Sequence, residues 1–230
     1  MMKKPNWKRI IGIFVLFTLI CSIIYSSIKV ITTPLSTTDL HNKSDYLLML
    51  LQCCLGLVVF WLPSILERKL SFDIPNHMEI AYFIFLYCAI YLGEVQNFYY
   101  LIPRWDNILH CFSGAMLGAF GFSLVQILND SDKVNVVLSP VFIALFAFCF
   151  AVTVGAMWEI YEFVGDSLFG LNMQKFRLAD GTLLVGAAAL KDTMHDIIID
   201  SIGAFIVSLW GYISMSFNNK HKNKNTVSGS

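Results

Sequence analysis

Six stretches of the chain are apolar over roughly the length needed to cross a bilayer, about 20 residues. They run at about 10–31, 46–66, 78–95, 108–128, 136–160 and 196–217. The third is short and carries Glu94 near its end. The fifth continues into Trp158-Glu159-Ile160-Tyr161-Glu162 and is expected to project beyond the hydrocarbon. Pro140 falls near its start, where a missing backbone N–H is tolerated. The pattern predicts an all-α, polytopic membrane helix bundle of six transmembrane helices. Residues 1–217 are expected to form one integral membrane domain, and the Asn/Lys/Ser-rich residues 218–230 a disordered tail.

Composition agrees with the pattern. Apolar residues make up 57% of the 230 and charged residues 14%, against about 45–50% and about 25% in soluble proteins. Mean hydropathy is +0.65. Sixteen Lys and Arg balance sixteen Asp and Glu. This excludes a disordered chain, a coiled coil and a basic binder of nucleic acid. It leaves too little polar surface to clothe a soluble domain.

The balance of Lys and Arg between the loops gives an orientation. Lys3, Lys4, Lys8, Arg9, Arg68, Lys69, Lys133, Lys220, Lys222 and Lys224 fall on one side. Lys29, Lys43, Arg104, Lys175, Arg177 and Lys191 fall on the other. The richer side is read as cytoplasmic, with both termini there, which suits an even number of spans. The first apolar run is longer than the roughly 7–15 residues of a signal core. No alanine precedes Ala81 to form a cleavage site, so an uncleaved span is expected. The cysteines Cys21, Cys53, Cys54, Cys88, Cys111 and Cys149 all lie in apolar runs and read as small apolar residues, not as a disulfide framework.

Candidate chemistry gathers at the outer ends of the last three spans. Asp106 and His110 are i and i+4 on the fourth. Glu159 and Glu162 are i and i+3 on the fifth, with Asp166 four further on. Asp192, His195, Asp196 and Asp200 follow on the sixth. At about 100° per residue the last four lie within one arc of roughly 140°. Glu94 adds another acid near the same boundary. Like-charge repulsion and desolvation make such a cluster costly. Arg104, Lys175, Arg177 and Lys191 could neutralise part of it, and a divalent cation is the other common solution. Inward-pointing acids and histidines at these helical spacings are how bundle metal sites are built. His110, Glu159, Asp196, Asp200, Asp106 and Asp192 are therefore candidate metal ligands for Zn²⁺, Mn²⁺, Fe²⁺ or Mg²⁺. Glu162 and His195 are candidate general bases.

The bland alternative is that span-end charges are simply solvated. It suits Asp106, Glu162, Asp166 and Asp192. It suits Asp200 poorly, which lies roughly 12 Å further along its helix than Asp192. Gly114, Gly118, Gly121, Gly155 and Gly203 would let these spans approach closely. The stretch 165–191 is too apolar for a plain solvated loop and reads as re-entrant or interfacial.

The motifs Trp105-Asp106-Asn107-Ile108-Leu109-His110 with Ser113-Gly114, Trp158-Glu159-Ile160-Tyr161-Glu162, Asn172-Met173-Gln174, Asp192-Thr193-Met194-His195-Asp196 and Asp200-Ser201-Ile202-Gly203-Ala204 together resemble the YjdF-like family of bacterial multi-spanning inner-membrane proteins. The resemblance covers roughly residues 80–215. It implies the fold class and a bacterial plasma-membrane location, and it supplies no reaction.

Three functions compete. A metal-dependent enzyme would act on a lipid or lipid-linked substrate through an activated water or a clamped phosphate. A cation or proton-coupled transporter would use the carboxylates as its ion site, although transport sites usually lie near the midplane. A non-catalytic scaffold or partner subunit would use the cluster as structural glue. The lipid bilayer is the one partner common to all three.

Overall fold

The structure is a computed structural model that describes residues 6–34, 43–70, 73–129, 138–178 and 181–227. Helices dominate, and no strand longer than an isolated bridge occurs among the described residues. The helices are α1 (Trp7–Thr32), α2 (Lys43–Val59), α3 (Leu62–Leu70), α4 (Asn76–Leu86), α5 (Phe98–Leu101), α6 (Trp105–Asn129), α7 (Pro140–Phe169) and α8 (Ala187–Val227). A π-helical segment, Tyr87–Val95, prolongs α4. Six helical stretches are long and apolar enough to cross a membrane: Trp7–Thr32, Lys43–Lys69, Asn76–Val95, Trp105–Gln126, Pro140–Phe169 and Ala187–Phe217.

These overlap the six stretches expected from sequence, with longer ends. The expected start of the fifth span at 136 lies outside the described residues, as does Lys133. The helix begins at Pro140, the first-turn position proline favours, and Ser139 Oγ accepts the N–H of Phe142 at 3.3 Å. The expected break before 218 does not occur. α8 continues to Val227, because no glycine or proline interrupts the run between Gly211 and Val227.

The chain divides into two compact units, Met1–Leu109 with Glu159–Met194, and His110–Trp158 with His195–Ser230. In the first unit, α1, α2, α4 and the π-helical segment enclose Val15, Leu19, Met49, Cys53, Phe60, Phe83, Leu86 and Ile90. The buried stripe of α1 is Gly12, Val15, Thr18, Leu19, Ser22 and Ser26, a three- and four-residue spacing. Its outward face carries Ile13, Phe14, Phe17, Ile20, Ile24 and Ile28. Small residues inside and large apolar ones outside are the arrangement of a helix solvated by lipid. The buried hydroxyls bond to their own helix: Thr18 to the Val15 carbonyl at 2.8 Å, Ser22 to that of Thr18 at 2.8 Å, and Ser26 to that of Ser22 at 2.6 Å.

The second long apolar stretch is broken at Phe60-Trp61. Pro63 has no N–H to offer the carbonyl of Val59 four residues earlier. The Tyr82 hydroxyl donates to that carbonyl instead, at 2.6 Å. Near the start of α4, Glu79 is 2% exposed and pairs with Lys8 of α1.

The second unit packs its helices through small residues. A Cβ on Gly114 of α6 would collide with the backbone of Asp200 on α8, and one on Gly203 with the Cys111 carbonyl. A Cβ on Gly121 would lie 3.2 Å from Ala147 Cα of α7. Along α7, Ile143, Ala147 and Ala151 are fully buried at four-residue spacing. These close approaches bring three backbones near enough for short polar side chains to meet.

Candidate functional site

His110 of α6 is one turn before Gly114, and Asp196 and Asp200 are one turn apart on α8. All three are buried, at 8%, 2% and 2% exposure. His110 Nδ1 lies 3.2 Å from Asp200 Oδ2. The opposite ring nitrogen, Nε2, lies 3.9 Å from Asp196 Oδ2. The imidazole thus sits between two carboxylates. Ser113, one turn along α6, donates to Asp200 Oδ1 at 2.8 Å, with the His110 carbonyl an alternative acceptor at 2.9 Å. Both oxygens of Asp200 are therefore engaged. A carboxylate at Asp200 can only accept, so in that state Nδ1 is the donor of this contact and Nε2 is the ring atom on the Asp196 side.

The space for the Asp200 carboxylate is made by α7. A Cβ on Gly155 would stand 2.6 Å from Asp200 Oδ2 and 3.2 Å from its Cγ. The glycines read from sequence as packing residues thus frame the carboxylate itself.

Of the eight site residues expected from sequence, His110, Asp196 and Asp200 come together in the second unit. His195 belongs to the same unit but is exposed, and neighbouring residues on a helix point about 100° apart. Asp106, Glu159, Glu162 and Asp192 belong to the first unit. Glu159 is 3% exposed, and the other three are half-buried.

In the first unit the expected neutralising cation is Lys175. Its ammonium pairs with Asp106 and lies 4.5 Å above the Tyr99 ring. Burial alone would lower the Lys175 pKa. The charge of Asp106 and its hydrogen bond, with Asp192 and Glu162 nearby, outweigh it and hold the group above the ordinary lysine range.

Asp166 was expected to be a solvated span-end charge, and the structure corrects this. It is buried and accepts the backbone N–H of Met173 at 2.7 Å and of Gln174 at 3.0 Å. Asn172 then bridges Arg177, its Oδ1 accepting the N–H and its Nδ2 donating to the carbonyl, both at 2.8 Å. Ser113 and Gly155 are the site residues that sequence reasoning passed over as functional groups. Each did stand one turn from a chosen residue, and that spacing was the available signal.

Long helices with apolar exteriors and polar side chains turned inward define a multi-pass α-helical membrane protein. The chain belongs to the DUF2238 family of predicted membrane proteins, whose profile matches residues 11–216. This agrees with the resemblance carried by the motifs around His110, Glu159 and Asp196. An uncharacterized protein of Thermotoga maritima is 29% identical over 160 residues, covering 67% of this chain and 73% of that one. No solved structure matches the chain.

Proposed function

We propose that the chain is a bacterial plasma-membrane protein whose His110–Asp196–Asp200 centre binds a divalent metal ion and uses it on a lipid or lipid-linked substrate. The observation that carries this reading is the two-sided grip on the imidazole. Asp200 fixes the Nδ1 proton and so presents Nε2 as a ligand atom, the usual outer-shell arrangement of a metal-binding histidine. The 3.9 Å between Nε2 and Asp196 Oδ2 is a few tenths of an ångström wider than the roughly 3.3–3.6 Å that two ligands span across a tetrahedral ion with bonds of about 2.0–2.2 Å, so a small side-chain adjustment would bring both onto one ion. Imidazole with carboxylate suits Zn²⁺, Mn²⁺ or Fe²⁺ better than Ca²⁺. Such an ion lowers the pKa of bound water and can polarise an ester or phosphate oxygen. Hydrolysis of a lipid headgroup or lipid-linked ester is the reaction class that follows. The Lys and Arg balance supports cytoplasmic termini, and the Thermotoga relative supports a bacterial setting.

A second reading has one specific observation in its favour. An imidazole with a carboxylate at each nitrogen is also a proton relay, and buried ionisable residues in spans commonly serve ion pathways. Protein reconstituted in lipid vesicles separates the two. Metal-dependent release of headgroup or phosphate, lost in Asp196→Asn, supports the enzyme. Proton or cation flux without turnover, lost in the same variant, replaces it with a transporter. Neither activity, with Asp196→Asn altering only thermal stability, leaves the scaffold.

A further inference from the structure

We propose that the segment joining α7 to α8 is an interfacial anchor, whose paired stretches 176–178 and 182–184 present apolar side chains to the phospholipid interface on their own side of the membrane. The argument begins with Asp166. It lies three residues, about 4.5 Å, inside the end of α7, yet its carboxylate holds the backbone of Met173 and Gln174. Gly170 makes the reversal, with φ of +65°. The chain therefore turns back along the helix it has just left, to the depth of that helix's last turn.

Leu171 and Met173 are buried against Leu48, which fixes the base. The paired stretches rise from it. Leu184 N–H donates to the Phe176 carbonyl at 2.7 Å, and Leu178 N–H to that of Thr182 at 2.9 Å. Arg177 and Leu183 form an antiparallel bridge. Gly181, with φ of +88°, lies in the turn.

What this scaffold presents is apolar. Leu178 is 47% exposed, Leu183 60% and Val185 82%. Leu168 and Phe169 at the end of α7, at 71% and 58%, and Leu190 at the start of α8, at 58%, are exposed as well. Both flanking helices are long and apolar enough to span a membrane, so these exposed apolar side chains sit beside spans that lipid would solvate. Exposed apolar patches that extend a lipid-facing surface mark membrane contact. Water would be a costly neighbour for them.

The test places a nitroxide at Leu183 or Val185 in full-length protein with its cysteines changed to alanine. The protein is reconstituted in phosphatidylethanolamine/phosphatidylglycerol vesicles, and collisions with oxygen and with a water-soluble nickel chelate are compared. Oxygen accessibility exceeding nickel accessibility several-fold at both positions is expected. Nickel-dominated collisions would overturn the proposal by placing this segment in water. Low values for both reagents would overturn it in favour of a protein partner or a second copy. A benzophenone amino acid replacing Val185, with all cysteines retained, tests the same point without that background. Crosslinks to phospholipid are expected, and crosslinks to protein alone would refute the anchor.

Discussion

His110 Nδ1 stands 3.2 Å from Asp200 Oδ2, and that contact decides which end of the imidazole can act as a ligand. Without the Asp200 carboxylate the ring could turn, or carry its proton on Nε2. Asp200→Asn is expected to weaken metal binding about 10–100-fold, the usual cost of losing an outer-shell carboxylate, while thermal stability changes little. Isothermal titration of the purified variant with Zn²⁺ or Mn²⁺ checks this. Unchanged affinity would remove Asp200 from the centre.

Gly155→Ala tests the frame around the same carboxylate. The new methyl would meet Asp200 Oδ2 at 2.6 Å, so the side chain must move. Metal affinity is expected to fall about tenfold, in line with other outer-shell disturbances, with the helical circular dichroism of the wild type. A folded Gly155→Ala protein binding metal normally would show that the position of Asp200 is not critical.

Tyr82→Phe removes the donor that Pro63 makes necessary. The part-buried carbonyl of Val59 would be left without the hydroxyl at 2.6 Å, at a cost of about 1 kcal/mol. Thermal unfolding in detergent should show the loss. Pro63→Ala restores an N–H in the right place, so Tyr82→Phe should cost clearly less in that background. Equal losses in both backgrounds would refute the pairing of proline and tyrosine.

Lys175→Gln should destabilise the protein, because Asp106 loses its cation. The sign with pH follows from the raised lysine pKa. A group held above its unfolded value contributes fully below that value, here 10.5, and loses the contribution only as pH rises through the folded one. The difference between wild type and Lys175→Gln is therefore expected to be constant from about pH 6 to pH 10. A difference that fades toward neutral pH would contradict the pairing.

Asp166→Ala should release the loop that follows α7. Two backbone amides lose their acceptor, and hydrogen exchange over 171–178 is expected to quicken at least tenfold. Exchange that stays slow would mean that the buried Leu171 and Met173 hold the loop unaided.

The spans were legible because each needs only a run of apolar residues, and a run is a local property. The break at Phe60-Trp61 was also written locally, in Pro63, but the continuous apolar run concealed it. The π-helical segment Tyr87–Val95 had no such signal. Its contacts with Tyr99, which packs over Gly93, and with Trp105, whose Nε1 donates to the Cys88 carbonyl at 3.3 Å, come from beyond its own sequence. Glu79 and Lys8 were invisible as a pair because their meeting depends on how α1 lies against α4.

For the candidate site, helical spacing pointed to His110, Asp196 and Asp200, and all three are buried. Asp106, chosen by the same spacing, also pairs with Lys175, and Asp166, read as a solvated charge, gives its oxygens to backbone amides. Periodicity gives the face on which a carboxylate sits. It does not give the donor that claims it, because that donor arrives from another part of the chain.

The central claim is that the two-sided imidazole holds a metal ion. Elemental mass spectrometry of detergent-purified protein, beside folded His110→Ala and Asp196→Asn variants, tests it most directly. Near-stoichiometric zinc, manganese or iron in the wild type, absent from both variants, is the predicted result. Wild-type protein that neither retains such a metal nor takes one up on titration would contradict it.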